Sequence, residues 1–182
     1  MATTTHQISW ESFEKLPDSD GMHRELIEGE LQILPPPKFG HSKVASNAAE
    51  ALRPLRERLG GRIFLEAGYL LKQDRRTWIQ PDVSFVRVER MRDTPDSGYL
   101  LGGPDLAIEV ASPSESAADL NRKVELLLNA GSLAVWVLYP EQRGVRVFLP
   151  TGASFWKGIG DTLSLPELLA GWECPVALFF ED

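Results

Sequence analysis

Ile79-Gln80-Pro81-Asp82-Val83-Ser84-Phe85-Val86 and Asp105-Leu106-Ala107-Ile108-Glu109-Val110-Ala111 are short apolar runs, each carrying a carboxylate. Runs of this kind read as strands buried on both faces, where Asp and Glu are depleted. A buried carboxylate without a partner costs several kcal/mol or takes up a proton, so each of these acids calls for a compensating group. Lys123 follows Glu109 by fourteen residues, on a stretch that reads as a helix starting just past the second strand.

Working outward, a mixed α/β pattern emerges. Ser9 to Leu16 reads as a short helix with Ser9 as N-cap, Glu11 in the first turn and Pro17 as its stop. Glu25 to Leu34 reads as two strands about the Glu28-Gly29 turn, and Pro35-Pro36-Pro37 as a stiff connector. Val44, Ala48, Leu52, Leu55 and Leu59 recur at helical spacing, which predicts a helix over Ser42–Leu59, kinked at Pro54 and ended by Gly60-Gly61. Strands follow over Arg62–Leu71 and Trp78–Val88, joined by the turn Gln73-Asp74-Arg75-Arg76. Thr94–Gly103 reads as loop. After the 105–111 strand comes a helix to Asn129, capped by Ser116 (with Asp119 in a capping box) or by Ser114, and closed by Gly131. Leu133–Tyr139 and Gly144–Leu149 form a strand pair. A short helix at Pro166–Leu169 and an apolar strand at Val176–Phe180 complete the pattern. The order predicts a mixed β-sheet flanked by helices, in one domain spanning 1–182. Within it, 1–40 holds an N-terminal helix and strands, 41–149 the core and 150–182 a C-terminal extension.

Bulk properties narrow the function. With 43% apolar and 25% charged residues, the 182-residue chain has the composition of a globular protein. No apolar run is long enough for a membrane span, and Met1 to Gln7 lacks the apolar core of a signal peptide, so a cytoplasmic location is expected. The single Cys174 excludes an internal disulfide and a cysteine-built zinc cage. A net charge of −7 argues against a protein that coats nucleic acid, though less against an enzyme that meets it briefly. The grouped arginines (Arg53, Arg56, Arg58 and Arg62; Arg75 and Arg76 beside Lys72; Arg87, Arg90 and Arg92) read equally well as solvated surface.

The chemistry centres on the two carboxylates. On adjacent strands, Asp82 and Glu109 can hold Mg²⁺ (or Mn²⁺), which prefers oxygen ligands and keeps several waters. On a helical wheel Lys123 falls beside the stripe of Leu120, Val124, Leu127 and Leu128, at the border of buried and exposed, from where its ammonium can reach the strand ends. Asp119 and Lys123 could also be an ordinary i, i+4 pair. Acids, metal and lysine together suit phosphodiester hydrolysis, with Lys123 stabilising charge or orienting water. His41, at the start of the first long helix, is a candidate to accept a proton or touch phosphate, or a plain surface residue. His6 and His23 carry no informative context. Other catalytic motifs are absent, and a glycosidase-like use of the carboxylates stays formally open.

Several of these segments resemble a known family. Glu25-Leu26-Ile27-Glu28-Gly29-Glu30, the Pro-rich stretch with His41, Pro81-Asp82-Val83, Glu109-Val110-Ala111-Ser112-Pro113-Ser114, Asp119 with Lys123, and Gly131 with Trp136 are similar to motifs of the Uma-two family of endonucleases, within the PD-(D/E)XK restriction-endonuclease-like superfamily. The resemblance implies a restriction-endonuclease-like fold, metal ligation by Asp82 and Glu109, Lys123 in place of a lysine that other members carry where Ala111 stands here, and Glu25 and His41 as accessory residues. The chain departs from the pattern at Leu127, at Ala134-Val135-Trp136 and at Tyr139-Pro140. The expected substrate is nucleic acid, DNA rather than RNA. The alternative is a catalytically idle member that binds or assembles. Phe155, Trp156, Leu178, Phe179 and Phe180 offer more apolar surface than one helical layer covers, which predicts a homodimer through the C-terminal segment.

Overall fold

A computed structural model describes residues 6–17, 22–72, 75–92, 94–113 and 115–182. In chain order the elements are β1 (His6–Gln7), α1 (Trp10–Glu14), β2 (His23–Ile27), β3 (Glu30–Leu34), α2 (Phe39–Ala51), α3 (Arg53–Leu59), β4 (Arg62–Leu65), β5 (Tyr69–Leu70), β6 (Trp78–Ile79), β7 (Val83–Val86), α4 (Val88–Met91), β8 (Leu100–Leu101), β9 (Leu106–Val110), α5 (Ala117–Asn129), β10 (Ala134–Tyr139), β11 (Gly144–Phe148), β12 (Ser154–Gly158), β13 (Thr162–Ser164) and β14 (Glu173–Pro175). A 3₁₀ turn over Val176–Phe180 ends the chain's regular structure.

Two sheets carry the architecture. The central one runs β12-β11-β10-β9-β7-β4 and is mixed, because β9 and β10 are parallel while their neighbours are antiparallel. The β9–β10 crossover is α5, as a parallel pair requires. The second sheet runs β1-β3-β2-β6-β5-β8. One face of the central sheet presents Val83, Phe85, Leu106, Ile108, Trp136 and Leu138 to α2 and the C-terminal segment. The other face presents Ala107, Val135 and Val137 to α5 and to Ile27, Tyr69 and Ile79 of the second sheet. The far side of the second sheet packs Leu26, Leu31, Leu70 and Trp78 against Trp10 and Phe13 of α1. This is the α/β mixed sheet flanked by helices that the residue pattern predicts.

Local chemistry explains the boundaries. Ser9 caps α1 by accepting from the Ser12 N–H, and the β2–β3 turn has positive φ at both Glu28 and Gly29, as a tight hairpin demands. Ser116 caps α5, accepting from the Asp119 N–H at 3.1 Å; Ser114, the other candidate cap, lies outside the described residues, as do Gln73 and Asp74 of the anticipated turn.

Six expectations need correction. The single kinked helix over Ser42–Leu59 is two helices: α2 starts earlier, at Phe39, and Pro54 sits in the first turn of α3, where its missing N–H costs nothing. The strand Arg62–Leu71 divides into β4 and β5, which belong to different sheets, and Trp78–Val88 divides likewise into β6 and β7 before the short helix α4. The breaks fall at Glu66, with φ 50°, and at Pro81, which has no N–H for a ladder. Leu100–Leu101 of the anticipated loop pairs in parallel with β5. Pro166–Leu169 is a turn and not a helix. Val176–Phe180 follows Pro175 as a 3₁₀ turn and not a strand, with Val176, Phe179 and Phe180 driven into the core. Past residue 150, β12 extends the central sheet by pairing with β11.

Candidate active site

The antiparallel register of β7 and β9 sets Val83 opposite Ile108, and one step further along the same register puts Asp82 across from Glu109. Glu109 alternates with Ile108, so when Ile108 faces α2 the carboxylate faces α5. Asp82 lies between Pro81 and the first residue of β7, just outside the ladder. One Asp82 oxygen, Oδ2, accepts the Val110 N–H at 2.6 Å; the other, Oδ1, lies 2.9 Å from Nε2 of His41 on α2.

Lys123 is only 3% exposed, which corrects its expected place at the border of the helix face. Its Nζ donates to Glu109 Oε2 at 2.9 Å, lies 3.3 Å from Glu25 Oε1, and has Glu115 Oε1 at 3.7 Å. An ammonium has three donors, and the third has no acceptor at hydrogen-bond distance among the described residues. Asp119, the alternative partner, is taken by Ser116. Glu25, on β2, is fully buried and also accepts the Gln80 N–H at 3.1 Å, with His23 Nε2 at 3.4 Å. Glu109, Lys123 and Glu25 of the sequence-derived set are thus brought together where the two sheets and α5 meet, while Asp82 pairs with His41 of α2 and is tied to β9 through the Val110 N–H.

Charge is distributed unevenly over this cluster. Burial alone would lower the Lys123 pKa, but Glu109, Glu25, Glu115 and Asp82 outweigh it and hold the ammonium well above its ordinary value. Burial also drives Glu109 well above the usual carboxylate range. Lys123 opposes that rise, while Asp82, Glu25 and Glu115 add to it. Glu115 is pushed up by burial in the same way. At Glu25, burial is overcome by Lys123, His23 and the Gln80 N–H, so its carboxyl is held low. His41 is raised: burial works against the imidazolium, and its bond to Asp82 prevails. Lys123 thus faces one carboxyl held low, Glu25, and one pushed up, Glu109.

Two members were not singled out in the sequence. Glu115 sits in the loop before the α5 cap, and nothing in its neighbourhood distinguishes it from a solvated acid. His23 had a usable signal, since residues two apart on a strand share a face, and Glu25 is two residues on.

The donor set suits a hard divalent cation, because it consists of carboxylate oxygens. Glu109 Oε1 is buried without a hydrogen-bond partner, as is Glu25 Oε2. Buried orphan oxygens of this kind are rare in folded proteins and are what an added cation would satisfy. Among the described residues no group of three or more His, Cys, Asp or Glu side chains is placed to hold a metal ion.

A crystal structure from Anabaena variabilis described as a "putative nuclease" has a TM-score of 0.81, covering 95% of this chain and 97% of that one at 22% identity, which speaks for a shared fold. No curated protein matches. No helix among the described residues is long and apolar enough to cross a membrane. The family model for Uma2, described as "Putative restriction endonuclease", matches residues 10–177. With the match spanning nearly all of the chain and the fold restriction-endonuclease-like, the protein belongs to the Uma2 family.

Proposed function

We propose that this protein is a metal-dependent nuclease that hydrolyses phosphodiester bonds of nucleic acid, DNA rather than RNA. The observation that carries the reading is Asp82 bonded to the Val110 N–H, next in the chain to Glu109, with the buried Lys123 ammonium 2.9 Å from Glu109. Membership of a family described as restriction endonucleases supports the nuclease class. Asp82 and Glu109 would hold Mg²⁺ or Mn²⁺, which supplies a Lewis acid for phosphate oxygens and water of lowered pKa.

The chain's own groups have distinct tasks. The Val110 N–H and His41 fix the Asp82 carboxylate from two sides, so its orientation does not depend on substrate. Glu25 anchors Lys123, whose remaining donor is available to a developing oxyanion. The first turn of α2 begins at Phe39, two residues before His41, and its backbone N–H groups favour an anion nearby.

A second reading, a binding or assembly module without catalysis, is favoured by one observation: both Asp82 oxygens are already engaged within the protein. Incubation of labelled single- and double-stranded DNA with Mg²⁺ or Mn²⁺ separates the two. The nuclease reading expects metal-dependent cleavage that falls by about 100-fold or more in Glu109→Gln. Cleavage equal in the variant contradicts the role of Glu109, and no cleavage by wild type with either metal favours the module.

A further inference from the structure

Beside Asp82 the surface opens into a pocket of about 200 Å³, lined by Pro37, His41, Ser42, Ala45, Ser46, Leu65, Glu66 and Asp82. It is smaller than the roughly 300–1,000 Å³ clefts that take drug-sized ligands, and it suits one flat heteroaromatic ring. Its walls divide by chemistry. Pro37, Ala45 and Leu65 are apolar, and Leu65 is 55% exposed despite its size. Ser42, Ser46 and Glu66 bring hydroxyls and a carboxylate.

Glu66 is held in an uncommon backbone conformation at φ 50°, with its N–H given to the Asp82 carbonyl at 3.2 Å and its carbonyl accepting from Gln80 Nε2 at 2.9 Å. Its side chain makes no hydrogen bond or ion pair among the described residues. A non-glycine residue kept at positive φ by bonds on both sides is a pattern found at functional positions. Phe39 stands in the chain between the lining residues Pro37 and His41, and at 83% exposed it is the most exposed of the large apolar side chains among the described residues.

We propose that this pocket receives one unstacked nucleobase of a single-stranded nucleic acid, next to the phosphate presented to Asp82. The proposal rests on the nuclease reading and names the substrate class of that site. Three features select a base. The apolar walls accept a π-face, whichever base it belongs to. The Glu66 carboxylate can only accept hydrogen bonds, so it matches the exocyclic amine of cytosine, adenine or guanine, with the serine hydroxyls free to give or take. Asp82 and His41 line the pocket, and Asp82 accepts the Val110 N–H next to Glu109, so an occupying base lies beside the candidate metal site. A duplex meets this requirement only by unpairing, which costs free energy that a single strand does not spend.

The test is fluorescence anisotropy with a short labelled single-stranded DNA and its duplex, both at one fixed salt concentration and in EDTA so that cleavage does not intervene. Wild type is expected to bind the single strand about tenfold or more tighter than the duplex. Ser46→Trp and Ser42→Phe fill the pocket from exposed positions, and each should remove that preference by weakening single-strand binding more than duplex binding. Two independent variants, each checked for an unchanged melting temperature, guard against a misfolded protein. Equal wild-type affinity for both forms, or an undiminished preference in both folded variants, overturns the proposal. Cleavage is scored separately: a wild type that prefers single strands but never cleaves with Mg²⁺ or Mn²⁺ sinks the nuclease reading and upholds the pocket.

Discussion

Lys123 is enclosed by Glu109, Glu25 and Glu115, so its removal leaves buried carboxylates with no counter-charge. Breaking a buried pair from one side costs about 3–5 kcal/mol, far more than an exposed helical pair is worth. Urea denaturation of Lys123→Ala without metal should therefore show a loss in that range, and added Mn²⁺ should recover part of it by replacing the missing cation. A loss under about 1 kcal/mol would mean that the ammonium is not the cluster's counter-charge. At this scale the sequence was informative wherever a residue conflicted with its surroundings. Asp82 and Glu109 stood out because acids do not belong in apolar strands. Lys123 stood out through its place beside the apolar stripe, although helical spacing could not show how deep it lies. Glu115 and the His41–Asp82 bond come from loop and helix ends that converge only in the folded chain.

The elements show the same division. Hydrophobic spacing and capping residues were enough for α1, α5, β2, β3, β9, β10 and β11, because each side-chain period agreed with the local turn chemistry. The exchange of strands between sheets was not legible from periodicity, since apolar residues continue on both sides of Glu66. Val176–Phe180 failed for another reason: its β-forming composition yields to tertiary packing of Phe179 and Phe180. The junction at Glu66-Ala67-Gly68 can be probed directly. A Cβ on Gly68 would lie 2.3 Å from the Trp78 ring, which packs on α1. Gly68→Ala should cost about 1–3 kcal/mol by overpacking, read as a lower urea midpoint with an unchanged slope. An unaltered midpoint would mean that Trp78 moves freely and that the junction is loosely packed.

For the whole molecule, the apolar surface left over after folding bears on assembly. Phe179 and Phe180, expected at an interface, belong to the core, whereas Phe155, Trp156 and Leu178 stay 38–45% exposed. Phe155 and Trp156 lie on β12, an edge strand whose outer side has no partner among the described residues. Exposed edges with apolar side chains invite pairing, and two-fold pairing is the commonest outcome. We propose a homodimer through this edge. Light scattering at tens of micromolar should give twice the 20.3 kDa chain mass, and Trp156→Lys should halve it. A monomeric wild type would refute the assignment.

The central claim is that Asp82 and Glu109 form one divalent-metal site supported by Lys123. Calorimetric titration of Mn²⁺ into wild type and into Asp82→Ala, each at one pH and with melting temperatures recorded, tests it most directly. Wild type should show a single site and a melting temperature that climbs with free Mn²⁺, as binding to the folded state requires, and the variant should lose both. Equal Mn²⁺ binding by the two proteins, or none by wild type, would contradict it.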